Sequence, residues 1–252
     1  MSKIVMVTGA TSGIGRASAC KFAELGYNLI ILGRRTERLE ELKAELELKN
    51  KVKVLSICCD VRNREDVENA ISGMDAEWQN IDILLNNAGL AAGMGKINEG
   101  DLEDWECMID TNVKGLLYVS RAVSNLMKNR GEGHIINLGS IAGKEVYLNG
   151  NVYCATKHAV DALSKAMRMD LLPYGIKVSQ ICPGAVETEF SLVRFKGDKE
   201  RAAAVYQGIE PLTASDIADT IIYMASAPKH VNVADVIIFP SAQGSSSLFE
   251  RK

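Results

Sequence analysis

The sequence predicts an α/β fold, a doubly wound parallel sheet of about seven strands with helices on both faces. Three observations lead to this prediction. Short apolar, β-rich segments alternate with helical segments along nearly the whole chain. Glycine, asparagine or proline breaks follow several strands, where a parallel sheet places its ligand-binding loops. The 252 residues suffice for one large hydrophobic core, and no linker or repeat divides them.

The first elements form a βαβ unit, because a strand, a glycine turn, a helix and a second strand follow one another within about thirty residues. The predicted strands are 4–7, 28–32, 52–57, 81–85, 134–138, 177–181 and 233–239. The predicted helices are 16–25, 36–49, 63–79, 101–128 with an interruption, a helix through Tyr153 ending near Gly175, and 214–226. Residues 90–100 read as a loop, 185–210 as a charged insertion, and 241–252 as a polar tail.

Composition excludes several classes of function. The net charge of −3 gives no basic surface for nucleic acid or anionic lipid. No apolar run approaches the roughly 18 residues of a membrane span, and the start runs directly into a strand without room for a signal peptide. The six cysteines are scattered and the three histidines form no spaced set, so we expect no metal site and a cytoplasmic location.

A glycine cluster follows the first strand and opens a helix. Gly9, Gly13 and Gly15 lack side chains, so the backbone can approach a pyrophosphate at the helix N-terminus. The strand-before, helix-after context predicts nucleotide binding, although a lone glycine cluster also makes ordinary turns.

Tyr153 and Lys157 lie four residues apart in a helical segment and therefore share one face. An ammonium beside a phenol favours the phenolate, so this pair predicts a tyrosine acid/base with a lowered pKa. A solvated lysine beside a half-buried tyrosine is the alternative for the pair taken alone.

These motifs, in this order and spacing, resemble the classical short-chain dehydrogenases/reductases from residue 4 to about 240. The resemblance is carried by Thr8-Gly9-x-x-x-Gly13-Ile14-Gly15, Asn86-Asn87-Ala88-Gly89, Asn112, Ser140 and Tyr153-x-x-x-Lys157. It implies a Rossmann-type fold in a single dinucleotide-binding and catalytic domain spanning 1–252, with a substrate lid inserted at about 185–210. It also implies a homotetramer built partly on the helices that carry Asn112 and Tyr153.

The resemblance also implies a role for each motif residue. Tyr153 would be the general acid/base, and Lys157 would lower its pKa and bind the nicotinamide ribose. Ser140 would hold the substrate oxygen, and Asn112 would hold a water that links Lys157 to solvent. The implied cofactor-binding residues are Gly9, Thr11, Ser12, Gly13, Ile14, Gly15, Asp60, Val61, Asn87, Ala88, Gly89, Tyr153, Lys157, Pro183, Gly184, Val186 and Thr188.

The end of the second strand predicts NADP(H) as the cofactor. An acidic residue there would read the ribose 2′-hydroxyl of NAD, but this chain has Gly33-Arg34-Arg35 and no acid before Glu37. Arginine is a natural partner for a 2′-phosphate. We rank Arg34 first as its ligand and Arg35 second.

A narrower resemblance concerns the substrate. The segments around Asn87, Trp105, Tyr153 and residues 189–198 look like NADP-dependent 3-hydroxy acid dehydrogenases, which act on serine, allo-threonine and 3-hydroxypropionate-like acids or reduce malonic semialdehyde. Within that group we expect Arg194 to clamp the substrate carboxylate and Glu145 to meet an amino group. Lys196 is a second cation of the same segment. Exposed charges on a mobile lid are the alternative reading of these residues.

Two other functions stay open. The same chemistry could act on 3-oxoacyl thioesters, sugars or steroids, although Arg194 and a short polar insertion argue against bulky apolar substrates. A dinucleotide-sensing protein without turnover is less favoured. Such a protein could lose Ser140, Tyr153 and Lys157 without cost to folding, yet this chain has all three.

Overall fold

The computed structural model describes residues 2–252, and its strands form one seven-stranded parallel sheet. The strand order is β3-β2-β1-β4-β5-β6-β7, as the doubly wound prediction requires. The strands are β1 Ile4–Thr8, β2 Asn28–Gly33, β3 Val54–Cys58, β4 Ile81–Asn86, β5 Gly133–Leu138, β6 Ile176–Pro183 and β7 Asp235–Ile238.

Helices cover both faces of this sheet. Their bounds are α1 Gly13–Glu24, α2 Thr36–Asn50, α3 Arg64–Ser72, α4 Leu102–Ile109, α5 Leu116–Arg130, α6 Asn151–Leu171, α7 Glu189–Arg194, α8 Lys199–Ala204 and α9 Ala214–Ser226.

The sheet is buried on both sides, which explains why its strands read as continuous apolar runs. Alternate residues of β1 point to opposite faces: Val5 packs in one core with Phe22 of α1, and Met6 packs in the other with Val123 of α5. All four side chains are fully buried.

The strand order reverses between β1 and β4, and this position fixes where a ligand can bind. From β1 the chain winds outward to β2 and β3 and then returns to β4 on the other side of β1. Loops at the carboxyl ends of β1 and β4 therefore diverge and leave a crevice. The glycine loop after β1 and Asn87 after β4 border it.

Some element boundaries differ from the predictions. The helix predicted over 63–79 stops at Ser72, where Gly73 follows, and a separate 3-10 turn covers Ala76–Trp78. The interruption predicted within 101–128 is a π-helical turn at Asp110–Gly115, which contains Asn112. Such insertions are frequent at functional sites.

The region predicted as a weakly periodic insertion contains the short helices α7 and α8. The polar tail folds back on the domain: Gln243 bridges to Phe249, and the backbone N–H of Lys252 donates to Gly208 O.

Within residues 2–252, no helix combines the length and apolar character needed to cross a bilayer. In the same range, no group of three or more histidine, cysteine, aspartate or glutamate side chains is placed to hold a metal ion.

Candidate active site

The loop after β1 is shaped so that only glycine fits at its key positions. Gly9 and Gly13 have φ values of +65° and +51°, which glycine adopts without strain. A β-carbon at Gly15 would overlap the carbonyl oxygen of Gly9 and the amide of Asn87. Asn87 Nδ2 donates to Thr8 O at 2.9 Å and Gly9 O at 3.1 Å, so the β4 loop holds the glycine loop in place.

This loop lines a cleft of about 600 Å³ at the carboxyl ends of the strands. Most of the residues that the sequence predicted for the site lie on its wall. They are Gly9, Thr11, Ser12, Gly13, Ile14, Arg34, Arg35, Asp60, Val61, Asn87, Ala88, Gly89, Ser140, Tyr153, Lys157, Pro183, Gly184, Val186, Thr188 and Arg194. Gly15, Asn112 and Glu145 lie outside it; Gly15 and Asn112 support the wall from behind.

The two arginines after β2 differ in their surroundings. Arg35 donates to Thr11 Oγ1 at 2.6 Å and Ser12 Oγ at 2.9 Å, so its guanidinium lies against the glycine loop. Arg34 is more exposed and only approaches Asp60 Oδ2, at 3.8 Å. Arg35 rather than Arg34 therefore lies against the glycine loop, and the predicted ranking of the two as phosphate ligands stays a prediction.

Asp60 and Val61, on another part of the cleft wall, are held by their neighbours. Arg62 donates to both carboxylate oxygens of Asp60, and Val61 packs where a side chain at Gly115 would collide with it. Burial opposes ionisation of Asp60, but the hydrogen bonds from Arg62 outweigh it and hold its pKa below the ordinary value.

Ser140, Tyr153 and Lys157 meet at the opposite end of the cleft. Ser140 follows β5, and its Oγ accepts from Ala142 N at 3.1 Å. Tyr153 and Lys157 project from one face of α6, and both are buried. Lys157 Nζ donates to the carbonyl of Leu138 at 2.9 Å.

The predicted lowering of the Tyr153 pKa by Lys157 is wrong for the chain by itself. Burial raises the pKa of the Tyr153 phenol, and the Ser140 hydroxyl and the Arg194 charge only partly oppose this shift. Burial also lowers the pKa of Lys157 to about 8, and its ammonium lies 6.0 Å from the Tyr153 ring centre. The phenol is therefore protonated at neutral pH.

Asn112 is fully engaged by its neighbours. Its Nδ2 donates to Leu90 O at 2.8 Å and to Thr156 Oγ1 at 3.1 Å, while its Oδ1 accepts from Leu90 N at 2.8 Å. Both side-chain donors are used, so the amide side chain fixes the β4 loop against α6. Its predicted role in holding a water stays a prediction.

Arg194 reaches the cleft from the last turn of α7. Its guanidinium carbon lies 5.3 Å from the Tyr147 ring centre and 5.6 Å from that of Tyr153. Its Nε and Nη2 are buried and have no hydrogen-bond partner among residues 2–252. Buried charged donors without a partner are costly, so this guanidinium is suited to receive an anion.

The structure does not bring Glu145 to the cleft, and the predicted contact with a substrate amino group is corrected accordingly. Glu145 Oε2 accepts from the backbone N–H of Ser246 at 2.7 Å. Its carboxylate therefore holds the C-terminal tail.

Several residues of the cleft were missed. Tyr147, Phe190, Tyr206, Gln243, Phe249 and Arg251 line it. Tail residues arrive through long-range contacts, such as Gln243 Oε1 accepting from Ala185 N at 2.8 Å. No periodicity or motif in the tail marks these residues.

The burial of Lys157 leads to a stability prediction. Lys157→Met should raise the free energy of unfolding at pH 7 by about 1–3 kcal/mol, because it removes a buried ammonium. The folded pKa of about 8 lies below the ordinary 10.5, so the unfolded wild type binds more protons between these values. The wild type should therefore gain up to about 1.4 kcal/mol per pH unit as pH rises through that window.

The difference in free energy of unfolding between Lys157→Met and the wild type should consequently decrease between pH 8 and pH 10 in urea denaturation experiments. Lys165→Met, at an exposed position of the same helix, is the control and should change stability by less than about 0.5 kcal/mol at each pH. A constant difference between Lys157→Met and the wild type across this range would contradict the depressed pKa.

Comparisons with known proteins agree with this geometry. Residues 3–198 match the model of the short chain dehydrogenase family. The chain is 47% identical to the NADP-dependent 3-hydroxy acid dehydrogenase YdfG of Salmonella typhi, over 97% of this chain and 98% of that protein. It is 41% identical to the NADP-dependent 3-hydroxy acid dehydrogenase of Schizosaccharomyces pombe, over 99% and 97%.

A solved structure of serine dehydrogenase, in a closed form complexed with NADP⁺, superposes with a TM-score of 0.92. It is 45% identical in sequence, and the match covers 99% of each chain. With the nucleotide loop, the sheet order and the Ser140, Tyr153 and Lys157 group on one cleft, the chain belongs to the short-chain dehydrogenase family and is an oxidoreductase that acts on CH–OH groups.

Proposed function

We propose that this enzyme transfers a hydride between NADP(H) and a small 3-hydroxy acid of the serine, allo-threonine or 3-hydroxypropionate type. One observation carries the substrate class: Arg194 presents buried, unpartnered guanidinium donors beside Tyr153. The names of the similar proteins, 3-hydroxy acid dehydrogenase and serine dehydrogenase, support the same class.

The cleft fits a dinucleotide with a 2′-phosphate. The glycine loop leaves space that β-carbons would fill, and Arg35 lies next to it. Arg35 and Arg34 would bind the 2′-phosphate, Asp60 and Val61 would border the adenine, and Thr188 would reach the phosphates. Bound NADP(H) would accept or supply the hydride at its nicotinamide.

Side chains of this protein would transfer the proton that accompanies the hydride. In reduction, Tyr153 would donate its phenolic proton to the carbonyl oxygen while Ser140 holds that oxygen. In oxidation, Tyr153 would first lose its proton to solvent, and the resulting phenolate would take the proton from the substrate hydroxyl. Lys157 would bind the nicotinamide ribose, and Asn112 would keep the β4 loop and α6 in register.

The carboxylate of the substrate would pair with Arg194. A charged hydrogen bond in a dry site is stronger than a neutral one, and two parallel N–H donors match a carboxylate. Tyr147 and Tyr153 flank the guanidinium and restrict its position. An uncharged alcohol would leave these donors unsatisfied, so the site would discriminate against it.

We further propose that residues 1–252 act as one catalytic domain and that 185–210 serve as its substrate lid. The backbone N–H of Gly93 donates to Arg194 O at 3.0 Å, and this contact holds α7 against the loop after β4. A homotetramer is supported by apolar side chains exposed on α5 and α6, including Leu117 and Met169. A cytoplasmic location is supported by six free cysteines.

The test is a set of initial rates of NADP⁺ reduction, followed at the nicotinamide absorbance. L-serine, L-allo-threonine and 3-hydroxypropionate should be oxidised, and 1,3-propanediol should be at least about 100-fold poorer in kcat/KM, because it lacks the carboxylate. NAD⁺ should replace NADP⁺ poorly. Equal kcat/KM values for 3-hydroxypropionate and 1,3-propanediol would contradict a site that recognises the substrate carboxylate.

Two other results would redirect the assignment. Turnover confined to 3-oxoacyl thioesters, sugars or steroids would keep the chemistry and change the substrate. Tight NADPH binding without turnover of any carbonyl substrate would favour a sensor.

A further inference from the structure

The Glu189 carboxylate is hydrogen-bonded to Arg35, which lies against the glycine loop, and to Arg38 of α2. Glu189 Oε2 accepts from Arg35 Nη1 at 3.1 Å, and Glu189 Oε1 accepts from Arg38 Nη1 at 2.9 Å. Arg38 lies on α2, one turn after Arg35, and no motif had singled it out. One carboxylate therefore bridges two guanidinium groups.

This bridge borders the cleft that the glycine loop lines, since both Glu189 and Arg35 lie on its wall. Glu189 is the first residue of α7, and its neighbour Thr188 packs on Gly13, where an added β-carbon would lie 3.3 Å from Thr188 Cβ. Arg35 simultaneously donates to the hydroxyls of Thr11 and Ser12. The carboxylate thus lies at the position where the guanidinium of Arg35 meets the lid.

Glu189 is ionised at neutral pH. Partial burial opposes ionisation, but the hydrogen bonds from Arg35 and Arg38 outweigh it and hold the pKa of the carboxyl below its ordinary value. An ionised carboxylate and a phosphate compete for the same guanidinium donors, because both offer oxygen acceptors in matching geometry.

We propose that the Glu189 carboxylate and the 2′-phosphate of NADP(H) are alternative partners of Arg35, with Arg38 helping to hold the carboxylate, so that Glu189 tunes cofactor selection and couples it to the lid. This inference rests on the proposed use of NADP(H). The phosphate replaces the carboxylate on Arg35 and releases the first residue of α7. NAD(H) has no 2′-phosphate and leaves the bridge intact.

The coupling extends to the substrate end of the lid because α7 is only six residues long. Glu189 begins it and Arg194 ends it. A change in the partner of Glu189 therefore acts on the same short helix that carries the proposed carboxylate ligand. When NADP(H) displaces Glu189 from Arg35, α7 can move so that Arg194 contacts the substrate.

Glu189→Gln tests the exchange, because it keeps the size of the side chain and removes its charge. Isothermal titration of the full-length protein should show that Kd for NADPH falls by about 3- to 10-fold, the range expected for a network of two partly exposed ion pairs. Kd for NADH should stay within about twofold. Reciprocally, the cofactor-free variant should lose a little thermal stability and gain more from NADPH.

Glu187→Gln is the matched control, since Glu187 lies two residues earlier and forms no ion pair among residues 2–252. It should leave both constants unchanged. The effect of Glu189→Gln should also diminish in an Arg38→Ala background, because one of the two bridged cations is gone.

Weaker NADPH binding in Glu189→Gln would overturn the proposal, because Glu189 would then orient the arginines for the phosphate. Equal tightening of NADPH and NADH would also overturn it, as a general charge effect. If the wild type does not bind NADPH, the proposed function is wrong. If the wild type binds NADPH but Glu189→Gln leaves the ratio of the NADPH and NADH dissociation constants unchanged, only the present proposal is wrong.

Discussion

Replacing Tyr153 by Phe should lower kcat for 3-hydroxy acid oxidation by about 10³-fold, because general acid/base catalysis contributes about 10²- to 10⁴-fold and the variant has no oxygen to carry the proton. Substrate and cofactor affinities should change little, since the ring keeps its packing against Phe190, 5.6 Å away between ring centres. Steady-state rates with NADP⁺, together with NADPH titration, measure both quantities.

Two other tyrosines make this test specific. Tyr223 is exposed on α9, and Tyr223→Phe should behave as the wild type. Tyr147 lines the same cleft and lies against Arg194, so Tyr147→Phe reports whether a second phenol can serve. If Tyr153→Phe retained more than a tenth of the wild-type kcat, or if Tyr147→Phe lost the activity instead, the assignment of the acid would be wrong.

Replacing Arg194 by Ala should raise KM for 3-hydroxypropionate by about 100-fold, with a smaller effect on kcat. Removing one partner of a charged, desolvated pair costs about 2–5 kcal/mol. The variant should therefore lose its preference for the acid over 1,3-propanediol, because the diol never used the guanidinium. The ratio of kcat/KM for the two substrates is the quantity to measure.

Lys199→Ala is the control for Arg194→Ala, because Lys199 is an exposed cation of the same lid segment. It should leave the ratio unchanged. Arg194→Lys should restore part of the preference, since an ammonium supplies charge without the planar pair of donors. An unchanged acid-to-diol ratio in Arg194→Ala would show that another group binds the carboxylate.

The architecture was predictable because its signals are local. Buried strands read as apolar runs, and the glycine loop after β1 marks the first βαβ unit within about thirty residues. Boundaries were less accurate where local periodicity continues past a break in the fold. The 63–79 helix is an example: its pattern runs through Gly73, but the chain turns there to bring Trp78 into the core.

The site was predictable where motifs fix it to strand ends, as with Ser140 after β5. Sequence order could not tell which arginine after β2 turns toward the glycine loop, because the contacts of Arg35 with Thr11 and Ser12 are tertiary. The pKa of Tyr153 was mispredicted for a related reason. The pair Tyr153 and Lys157 suggested a charge effect, whereas the burial that dominates depends on the whole fold.

The tail shows the same limit. Gln243, Phe249 and Arg251 line the cleft, and Glu145 and residues of the 185–210 segment hydrogen-bond to this chain end. A polar, serine-rich sequence without periodicity carries no sign of such contacts. Residues that pair across 44 to 101 positions have no pattern that a single sequence can display.

The central claim, hydride transfer from the hydroxyl-bearing carbon of a 3-hydroxy acid to NADP⁺, is tested most directly by labelling the transferred hydrogen. With 3-hydroxypropionate deuterated at C3, mass spectrometry of the reduced nucleotide should show one deuterium per NADPH formed, with a slower rate for the deuterated acid if hydride transfer limits turnover. Tyr153→Phe should form almost no labelled NADPH. Reduced nucleotide without deuterium, or no reduction despite NADP⁺ binding, would contradict hydride transfer from the hydroxyl-bearing carbon of a 3-hydroxy acid.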